Sequence, residues 1–184
     1  TGIVPHMHVG APRDGARLKE LLRQCIAIDN APSMIRFPKG AIPADIPAQE
    51  RVSGIDVLHR GQKKQVLLVS VGSMASMALE VAQLAHEKSI EITVIDPLWV
   101  KPISNNVTAL CAEYSTIVVM EDGIKHAGIA STIAEALGQA GSNCLVHSIG
   151  VPLEFIEHSK RTEILADLEI TPAAIVQQIA GWIS

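Results

Sequence analysis

This 184-residue sequence has few aromatic residues, no long apolar run and no basic stretch, and each scarcity excludes a class of protein. Aromatic residues make up 3% of the chain, so its core must be built from aliphatic side chains. No apolar run approaches the roughly 18 residues that a membrane-spanning helix requires. The net charge is -4 and no Lys/Arg cluster could follow a phosphate backbone, so neither a membrane nor a nucleic acid is expected as a partner.

Cysteine is also scarce. Cys25, Cys111 and Cys144 are odd in number, lack CxxC spacing and lie in apolar stretches. Because free cysteine is among the most buried residue types, we interpret all three as reduced core residues. No secretory signal is visible, and the sequence predicts a cytoplasmic protein. The chain opens at Thr1 directly on apolar, structured-looking sequence, which predicts a piece of a longer protein.

Aliphatic residues are abundant. Hydrophobic residues account for 48% of the chain and charged residues for 18%. A core of Val, Ile, Leu, Ala and Met suits parallel strands that are buried on both faces, as in α/β proteins. The composition therefore favours an α/β fold.

Residues 1–40 carry the pattern of a β-α-β unit. The apolar stretch "MHVGAPRD" (7–14) ends at Asp14, which suits a helix N-cap, and apolar residues then recur at helical spacing up to Ile26. A second strand is predicted over 33–37, and the intervening helix favours a parallel pair. Residues 41–54 hold two prolines and no clear periodicity, so we predict a linker there.

Residues 55–184 alternate predicted strands with predicted helices. "IDVLH" (55–59) and "QVLLVSV" (65–71) flank "RGQKK" and are expected to form a hairpin. Thr171 and Pro172 suit the N-cap and first position of a last helix. The pattern predicts a mostly parallel, five-stranded sheet with one antiparallel edge strand and helices on both faces. Its remaining strands are expected at 92–95, 117–120 and 145–149, and its other helices at 73–88, 105–113 and 127–139.

Arg36 is the most informative charged residue. In "MIRFPKG" (34–40) it follows two apolar residues that read as a buried strand, and Pro38 should end that strand. An unpaired charge at such a place is costly, so Arg36 needs an anion. A carboxylate across the domain boundary and a bound phosphate both suit its planar guanidinium, and the pattern alone does not separate them.

Other polar residues at predicted strand ends favour structural roles. Ser73 follows a strand in a turn without a nucleotide-binding glycine motif, so we interpret it as a helix N-cap. Glu121 and Asp122 could act as a general base or metal ligands, but carboxylates also hold neighbouring loops through backbone N–H groups. Without a nearby histidine or a second carboxylate pair, the structural role is favoured.

The histidines give no strong signal of a metal or catalytic site. His6 and His8 share one face of an extended segment and could form half of a metal site, but no third ligand follows at a useful spacing. His126 lacks partners in the same way, and we expect it to line or cap a loop. No Ser-His-Asp arrangement or GxSxG motif occurs. Hence no catalytic, cofactor-binding or metal-binding residue is predicted.

Seven stretches, in this order, resemble the C-terminal half of the 1-deoxy-D-xylulose-5-phosphate synthase family. "RFPKG" and "DPLWVKPI" are fairly specific to that family, whereas the β-α layout is shared with transketolases and with the beta subunits of 2-oxoacid dehydrogenases. The resemblance runs over essentially the whole chain. The stretches are "GIVPHMHVGAPRDGARLKELL", "DNAPSMIRFPKG", "GIDVLHRG", "VSVGSMASMALEVA", "VIDPLWVKPI", "VVMEDGIKHAGIASTIAEAL" and "IGVPLEFIEHSKRTEIL".

The resemblance implies a three-layer α/β/α transketolase C-terminal domain at 55–184, a linker at 41–54, and at 1–40 the end of the pyrimidine-binding domain. The family uses thiamine diphosphate and Mg²⁺ to condense pyruvate with glyceraldehyde 3-phosphate, releasing CO₂, in isoprenoid, thiamine and pyridoxal precursor biosynthesis. The resemblance also implies a homodimer. The arginine of the family's R-[FY]-P-[RK]-G motif, which binds the aldehyde's phosphate, is Arg36 here.

The departures from the family pattern shape the remaining expectations. The family's Gly-Asp-Gly motif, activating glutamate and His-Gln-Gly segment should precede Thr1, so we expect this chain alone to bind no cofactor and to be inactive. Its Gly-Gly-x-Gly cluster is reduced to Gly128 in "KHAGIAS", which argues against a close backbone approach there. Two hypotheses remain: a fragment of the enzyme, or a non-catalytic transketolase-like domain that associates subunits.

Overall fold

The computed structural model of the protein describes residues 4–183 and contains two β-sheets. The strands are β1 His8–Gly10, β2 Ser33–Ile35, β3 Glu50–Val52, β4 Ile55–His59, β5 Val66–Val71, β6 Ile92–Asp96, β7 Trp99–Lys101, β8 Thr116–Ile124 and β9 Leu145–Val151. The α-helices are α1 Gly15–Ile26, α2 Ala75–Glu87, α3 Asn105–Cys111, α4 Ile129–Gln139, α5 Arg161–Asp167 and α6 Pro172–Trp182.

The larger sheet has the strand order β3-β4-β6-β5-β8-β9. Strands β6, β5, β8 and β9 are parallel, and the antiparallel pair β3–β4 forms one edge. The predicted α/β fold with a mostly parallel sheet is confirmed. The sheet has six strands where five were expected, because β3 forms within the predicted linker and pairs antiparallel with β4 at the edge of the sheet.

The hairpin predicted between β4 and β5 is wrong. Strand β4 pairs with β3 and β6, whereas β5 lies between β6 and β8. All six residues of β5 are buried, and a strand that is apolar on both faces gains most at the centre of a sheet. The chain between β4 and β5 therefore passes across the position of β6, and the tight hairpin forms at Ser53-Gly54 instead.

Side-chain alternation along β5 divides the core into two layers. Val66 and Leu68 pack into one cluster with α2 and α6, while Leu67 and Val69 pack into the other with α3 and α4. Successive residues of a strand point to opposite faces, so one strand supplies both clusters. The resulting helix–sheet–helix arrangement is the expected three-layer architecture.

The N-terminal residues form the expected β-α-β unit and a small sheet of order β2-β1-β7. Strands β1 and β2 are parallel, and the Asp14 side chain caps α1 by accepting a hydrogen bond from Arg17 N–H at 2.8 Å, as predicted. A Cβ on Gly10 would lie 2.5 Å from Leu21 Cδ2, so glycine lets α1 approach β1 closely. Strand β7, which the sequence reading missed, comes from the larger domain and pairs antiparallel with β1.

Three smaller expectations can be compared with the structure. The three cysteines are free, but Cys111 alone is fully buried, since Cys25 and Cys144 keep partial exposure. Helix α6 begins at Pro172 with Thr171 as its N-cap, as predicted, whereas the short α5 was not foreseen. Among residues 4–183, no helix is long and apolar enough to cross a membrane. The division into residues 1–40, 41–54 and 55–184 stays a prediction.

A buried ion-pair network joins the two sheets. The Arg13 side chain is 2% exposed, and its Nη1 donates to Asp56 Oδ2 and to Asp96 Oδ2, both at 2.7 Å. Its Nε and Nη2 donate to the carbonyl oxygen of Ile46 at 3.1 and 2.9 Å. Asp14 accepts the Ile46 N–H at 3.0 Å, so the predicted linker is fastened to the N-terminal unit at this residue. A buried guanidinium is tolerated here because carboxylates and a carbonyl surround it.

The two carboxylates that face Arg13 differ in pKa. For Asp56, burial raises the pKa, but hydrogen bonds from Arg51 and Arg13 outweigh burial and hold it below its ordinary value. For Asp96, burial dominates and raises the pKa from 3.8 to about 6, although Arg13 and the Leu98 N–H oppose this. Asp96 is therefore the carboxylate of this network that takes up a proton at mildly acidic pH.

We expect Arg13→Ala to destabilise the chain strongly. The substitution leaves the buried carboxylates of Asp56 and Asp96 without their shared partner, and breaking a buried pair costs about 3–5 kcal/mol. Urea unfolding followed by the fluorescence of Trp99 and Trp182 measures the change. The matched control is Arg60→Ala, because Arg60 pairs with Glu50 on the surface, and we expect it to change stability by no more than about 0.5 kcal/mol. Equal effects of the two variants would contradict a central role for the network.

We also expect the stability to depend on pH through Asp96. Its pKa of about 6 in the fold exceeds the value of 3.8 in the unfolded chain, so the folded state binds the proton more tightly. Stability from this group should fall as the pH rises from about 4 to about 6 and then level off. The difference in unfolding free energy between wild type and Asp96→Asn, which cannot titrate, isolates this term. If the unfolding free energy of the wild type increased relative to that of Asp96→Asn as the pH rises, this prediction would be contradicted.

Candidate functional site

Arg36 lies immediately after β2, where the small sheet faces the larger domain. Its backbone N–H donates to the carbonyl oxygen of Gly10 at 2.8 Å, which holds this residue in register with β1. The sequence reading placed Arg36 at the end of a buried strand, but all three residues of β2 keep some exposure. The Arg36 side chain itself is 39% exposed, so its charge is not fully desolvated. The site is therefore open enough to admit a ligand.

Glu121 is the carboxylate that meets Arg36. Arg36 Nη2 lies 3.4 Å from Glu121 Oε2, and the two residues belong to the N-terminal unit and to strand β8 of the larger sheet. The ion pair across the domain boundary, one of the two alternatives for Arg36, is thus present. Glu121 is only 4% exposed, whereas Arg36 is partly open to solvent. The phosphate alternative stays a prediction, because a guanidinium has further N–H donors that one carboxylate oxygen does not occupy.

Glu121 also holds the beginning of α4. Its Oε1 accepts the backbone N–H of Ile129 at 3.0 Å, at the end of the helix where partial positive charge accumulates. The structural role favoured for Glu121 is therefore observed. A Cβ on Gly128 would overlap this Oε1 atom, so the expectation of no close backbone approach near Gly128 is wrong. The one glycine kept from the family's cluster stands where the approach occurs.

A cavity of about 640 Å³ lies beside the Arg36–Glu121 pair, between the small sheet and α4. Its polar lining is mostly basic, because His6, His8, Arg36 and Lys101 contribute to it together with the single carboxylate of Glu121. Lys101 Nζ donates to the carbonyl oxygen of Val4 at 3.2 Å. The cavity has room for a small molecule, and Arg36 and Lys101 could contact an anionic group of that molecule.

Asp122 and Ser73 form a separate polar cluster on the neighbouring strand ends. Asp122 Oδ2 accepts hydrogen bonds from Arg161 Nε at 2.8 Å and from Ser73 Oγ at 3.3 Å. The prediction that Ser73 caps a helix is wrong, since Met74 occupies the N-cap position of α2 without a side-chain bond. A 3₁₀ turn over Gly72–Met74 precedes α2 and displaces the helix start by two residues. Asp122 thus contacts side chains of neighbouring segments, where backbone N–H groups were expected as its partners.

The histidines come together less than a metal site would need. His6 and His8 both line the cavity, and the His8 ring packs edge-on against Trp99 with a centroid distance of 5.9 Å. His126 is exposed in the β8–α4 connection. Within residues 4–183, no group of three or more His, Cys, Asp or Glu side chains lies close enough to hold a metal ion.

Sequence reasoning missed Arg13 and Lys101 as residues that shape this region. Arg13 directly precedes the helix cap Asp14, and Lys101 closes the short strand β7. The stretch "WVKP" could have indicated β7, because it places apolar residues before a proline that would end a strand. No local signal could have identified the partners of Arg13, which lie 43 and 83 residues further along the chain.

The family model for the transketolase C-terminal domain matches residues 56–175, so the chain belongs to that family. Along essentially its whole length it is also similar to proteins named 1-deoxy-D-xylulose-5-phosphate synthase. It is 43% identical over 179 residues to the synthase of Streptomyces sp. (strain CL190), covering 97% of this chain and 28% of that protein. It is 44% identical over 186 residues to the synthase of Mycobacterium sp. (strain KMS), covering 100% and 29% respectively. The chain thus spans less than a third of the length of these relatives.

Solved structures support the fold. A split-gene transketolase described as an inactive beta4 tetramer superposes with a TM-score of 0.81 at 23% identity, over 97% of this chain and 57% of that one. A transketolase of Pichia stipitis in complex with sedoheptulose 7-phosphate gives a TM-score of 0.73 at 16% identity, over 97% and 25%. At these identities the likeness establishes the fold alone. The predicted transketolase C-terminal architecture is confirmed.

Proposed function

We propose that this chain is part of a 1-deoxy-D-xylulose-5-phosphate synthase that condenses pyruvate with glyceraldehyde 3-phosphate. The observation that carries the proposal is the match of the whole chain, at 43–44% identity, to relatives bearing that name. Pyruvate loses CO₂ when its C1–C2 bond breaks, and the electron pair of that bond forms the new bond to the aldehyde carbon. With one proton taken up, the two-carbon remainder and the three-carbon aldehyde give a five-carbon sugar phosphate that serves as an isoprenoid, thiamine and pyridoxal precursor.

In this reaction Arg36 binds the phosphate of the aldehyde. Its guanidinium lies beside a mostly basic cavity, and its half-exposed side chain can reach a ligand without giving up the contact with Glu121. A planar guanidinium can present two parallel N–H donors to a phosphate, a geometry that lysine lacks. Substrate binding is thus the contribution that this chain's own residues make to the chemistry.

Thiamine diphosphate and Mg²⁺ are proposed as cofactors of the complete protein. No residue of this chain is assigned to Mg²⁺, because residues 4–183 bring together no set of three potential metal ligands. The chain by itself is proposed to bind neither cofactor and to be inactive.

The complete protein is proposed to be a cytoplasmic homodimer. Several large apolar side chains beyond β9 are exposed in this chain, among them Leu153 at 70% and the fully exposed Phe155. Contiguous exposed apolar residues mark interaction surfaces, and these side chains also favour the second candidate function, a non-catalytic module that associates subunits.

The gene sequence distinguishes the two candidate functions. A complete gene with the upstream cofactor motifs supports the enzyme, whereas a natural start codon near Thr1 supports the module.

Arg36→Ala in the complete enzyme should impair use of the phosphorylated aldehyde selectively. Losing a charge-assisted hydrogen bond costs roughly 1.5–3 kcal/mol, so kcat/KM for glyceraldehyde 3-phosphate relative to unphosphorylated glyceraldehyde should fall about 10- to 100-fold. Arg36→Lys should restore only part of this ratio, because lysine keeps the charge but loses the planar fork. Steady-state kinetics with the two aldehydes measures the ratio.

The matched control is Arg161→Ala. Arg161 is exposed to a similar extent, 43% against 39%, and it too pairs with a carboxylate of β8, Asp122. We expect it to leave the ratio unchanged. A loss of both aldehydes alike in Arg36→Ala would identify Arg36 as a structural ion-pair residue and contradict the phosphate assignment.

A further inference from the structure

We propose that Glu121 is a positioning residue for Arg36: it holds the guanidinium in one orientation and leaves its remaining donors free for the phosphate of the substrate. The inference rests on the proposed phosphate-binding role of Arg36. It assigns to the larger domain a part in substrate recognition, although the phosphate-binding residue itself belongs to the N-terminal unit.

The Arg36 guanidinium needs contacts with other residues to hold it in one orientation. Arginine has a long side chain that loses much rotamer freedom when it is fixed, and Arg36 is half exposed. Glu121 Oε2 contacts Nη2 at 3.4 Å, and a Cβ on Gly123 would lie 3.0 Å from Nη1. The guanidinium is thus confined between a carboxylate and the backbone of β8. A ligand that binds such a pre-oriented group does not have to order it.

Glu121 can orient Arg36 without cancelling the positive charge of the guanidinium. The other carboxylate oxygen accepts the Ile129 N–H at 3.0 Å, so the N-terminal end of α4, an 11-residue helix, compensates part of the negative charge. A carboxylate bound only to Arg36 would repel an incoming phosphate more strongly. With its negative charge shared in this way, Glu121 offsets less of the positive charge of Arg36.

Gly128 leaves room for the Glu121 carboxylate in the position where it contacts Arg36. The residue has φ -83 and ψ -167, a conformation open to any amino acid, so glycine is not required by the backbone. Glycine instead leaves the space that the carboxylate occupies, because a Cβ would overlap Glu121 Oε1 and the flexible Glu121 side chain would have to move. Gly128→Ala should therefore displace the carboxylate from Arg36 while keeping every charge of the site. This variant therefore tests whether the position of the Glu121 carboxylate matters when the carboxylate itself is retained.

The test compares Glu121→Gln and Gly128→Ala with wild type in the complete enzyme. We expect the KM for glyceraldehyde 3-phosphate to rise about fivefold in each, the upper limit for a half-exposed ion pair, with kcat and the KM for glyceraldehyde nearly unchanged. Adding either substitution to Arg36→Ala should cause no further loss. Asp122→Asn is the control, because its carboxylate, adjacent in β8, pairs with Arg161 instead.

A second readout needs no activity. In the 184-residue chain, the NMR order parameter of the Arg36 Nε–H bond should fall in Glu121→Gln and Gly128→Ala but not in Asp122→Asn. Unfolding midpoints show whether each variant folds, and Gly128→Ala keeps the test informative should the loss of the carboxylate prevent folding.

The contrary outcomes are distinct. Equal losses with both aldehydes, or an unchanged order parameter, would make Glu121 a purely structural residue. A lower KM for glyceraldehyde 3-phosphate in Glu121→Gln would mean that the carboxylate competes with the phosphate. Either result overturns the positioning role while leaving the role of Arg36 intact. If Arg36→Ala itself shows no selectivity between the aldehydes, the proposed function of Arg36 fails and the positioning role fails with it.

Discussion

The buried guanidinium of Arg13 is the constraint on which the rest of the structure depends. It comes from the loop before α1, yet its acceptors are two carboxylates of the larger sheet and a carbonyl of the connecting segment. A charge removed from water is tolerated only with close partners. Displacing the N-terminal unit would therefore leave the buried carboxylates of Asp56 and Asp96 without the Arg13 guanidinium. The network thus favours one arrangement of the two sheets.

This arrangement places the two halves of the candidate site together. Strand β7 extends the small sheet from the larger domain, and Trp99 Nε1 donates to Gln24 Oε1 at 2.7 Å, so contacts to both β1 and α1 support the docking. The end of β2 then lies against β8, where Arg36 meets Glu121 from 85 residues away. The phosphate contact proposed for Arg36 and the docking of the two sheets therefore depend on the same geometry. A change that loosens the docking should also loosen the orientation of Arg36.

Local signals in the sequence predicted those features that depend on neighbouring residues. Asp14 and Thr171 were identified as helix caps because a cap requires only the next few N–H groups, and β5 was identified by its continuous apolar run. Strand pairing was predicted less well. Strands β3 and β7 have three residues each and exist through partners elsewhere in the chain, so their own sequences carry little signal.

The candidate site could be predicted only in part, for the same reason. Arg36 stood out because a charge beside an apolar pair demands an anion, but the identity of its carboxylate depends on how the two sheets dock. Gly128 shows the limit most clearly: the loss of neighbouring glycines suggested no close approach, whereas the retained glycine lies directly against Glu121. Long-range placement, not local propensity, decides such contacts.

The central claim, that the N-terminal unit and the larger domain form one cooperative structure, is tested most directly by native-state hydrogen exchange of the 184-residue chain. Amides of β1 and β2, including the Arg36 N–H that binds Gly10, should open with the same free energy and denaturant dependence as those of β5. This result would show that both sheets unfold together. Exchange of the β1 and β2 amides through a separate opening, well below the free energy for β5, would show that the N-terminal unit is only loosely attached and would contradict the claim.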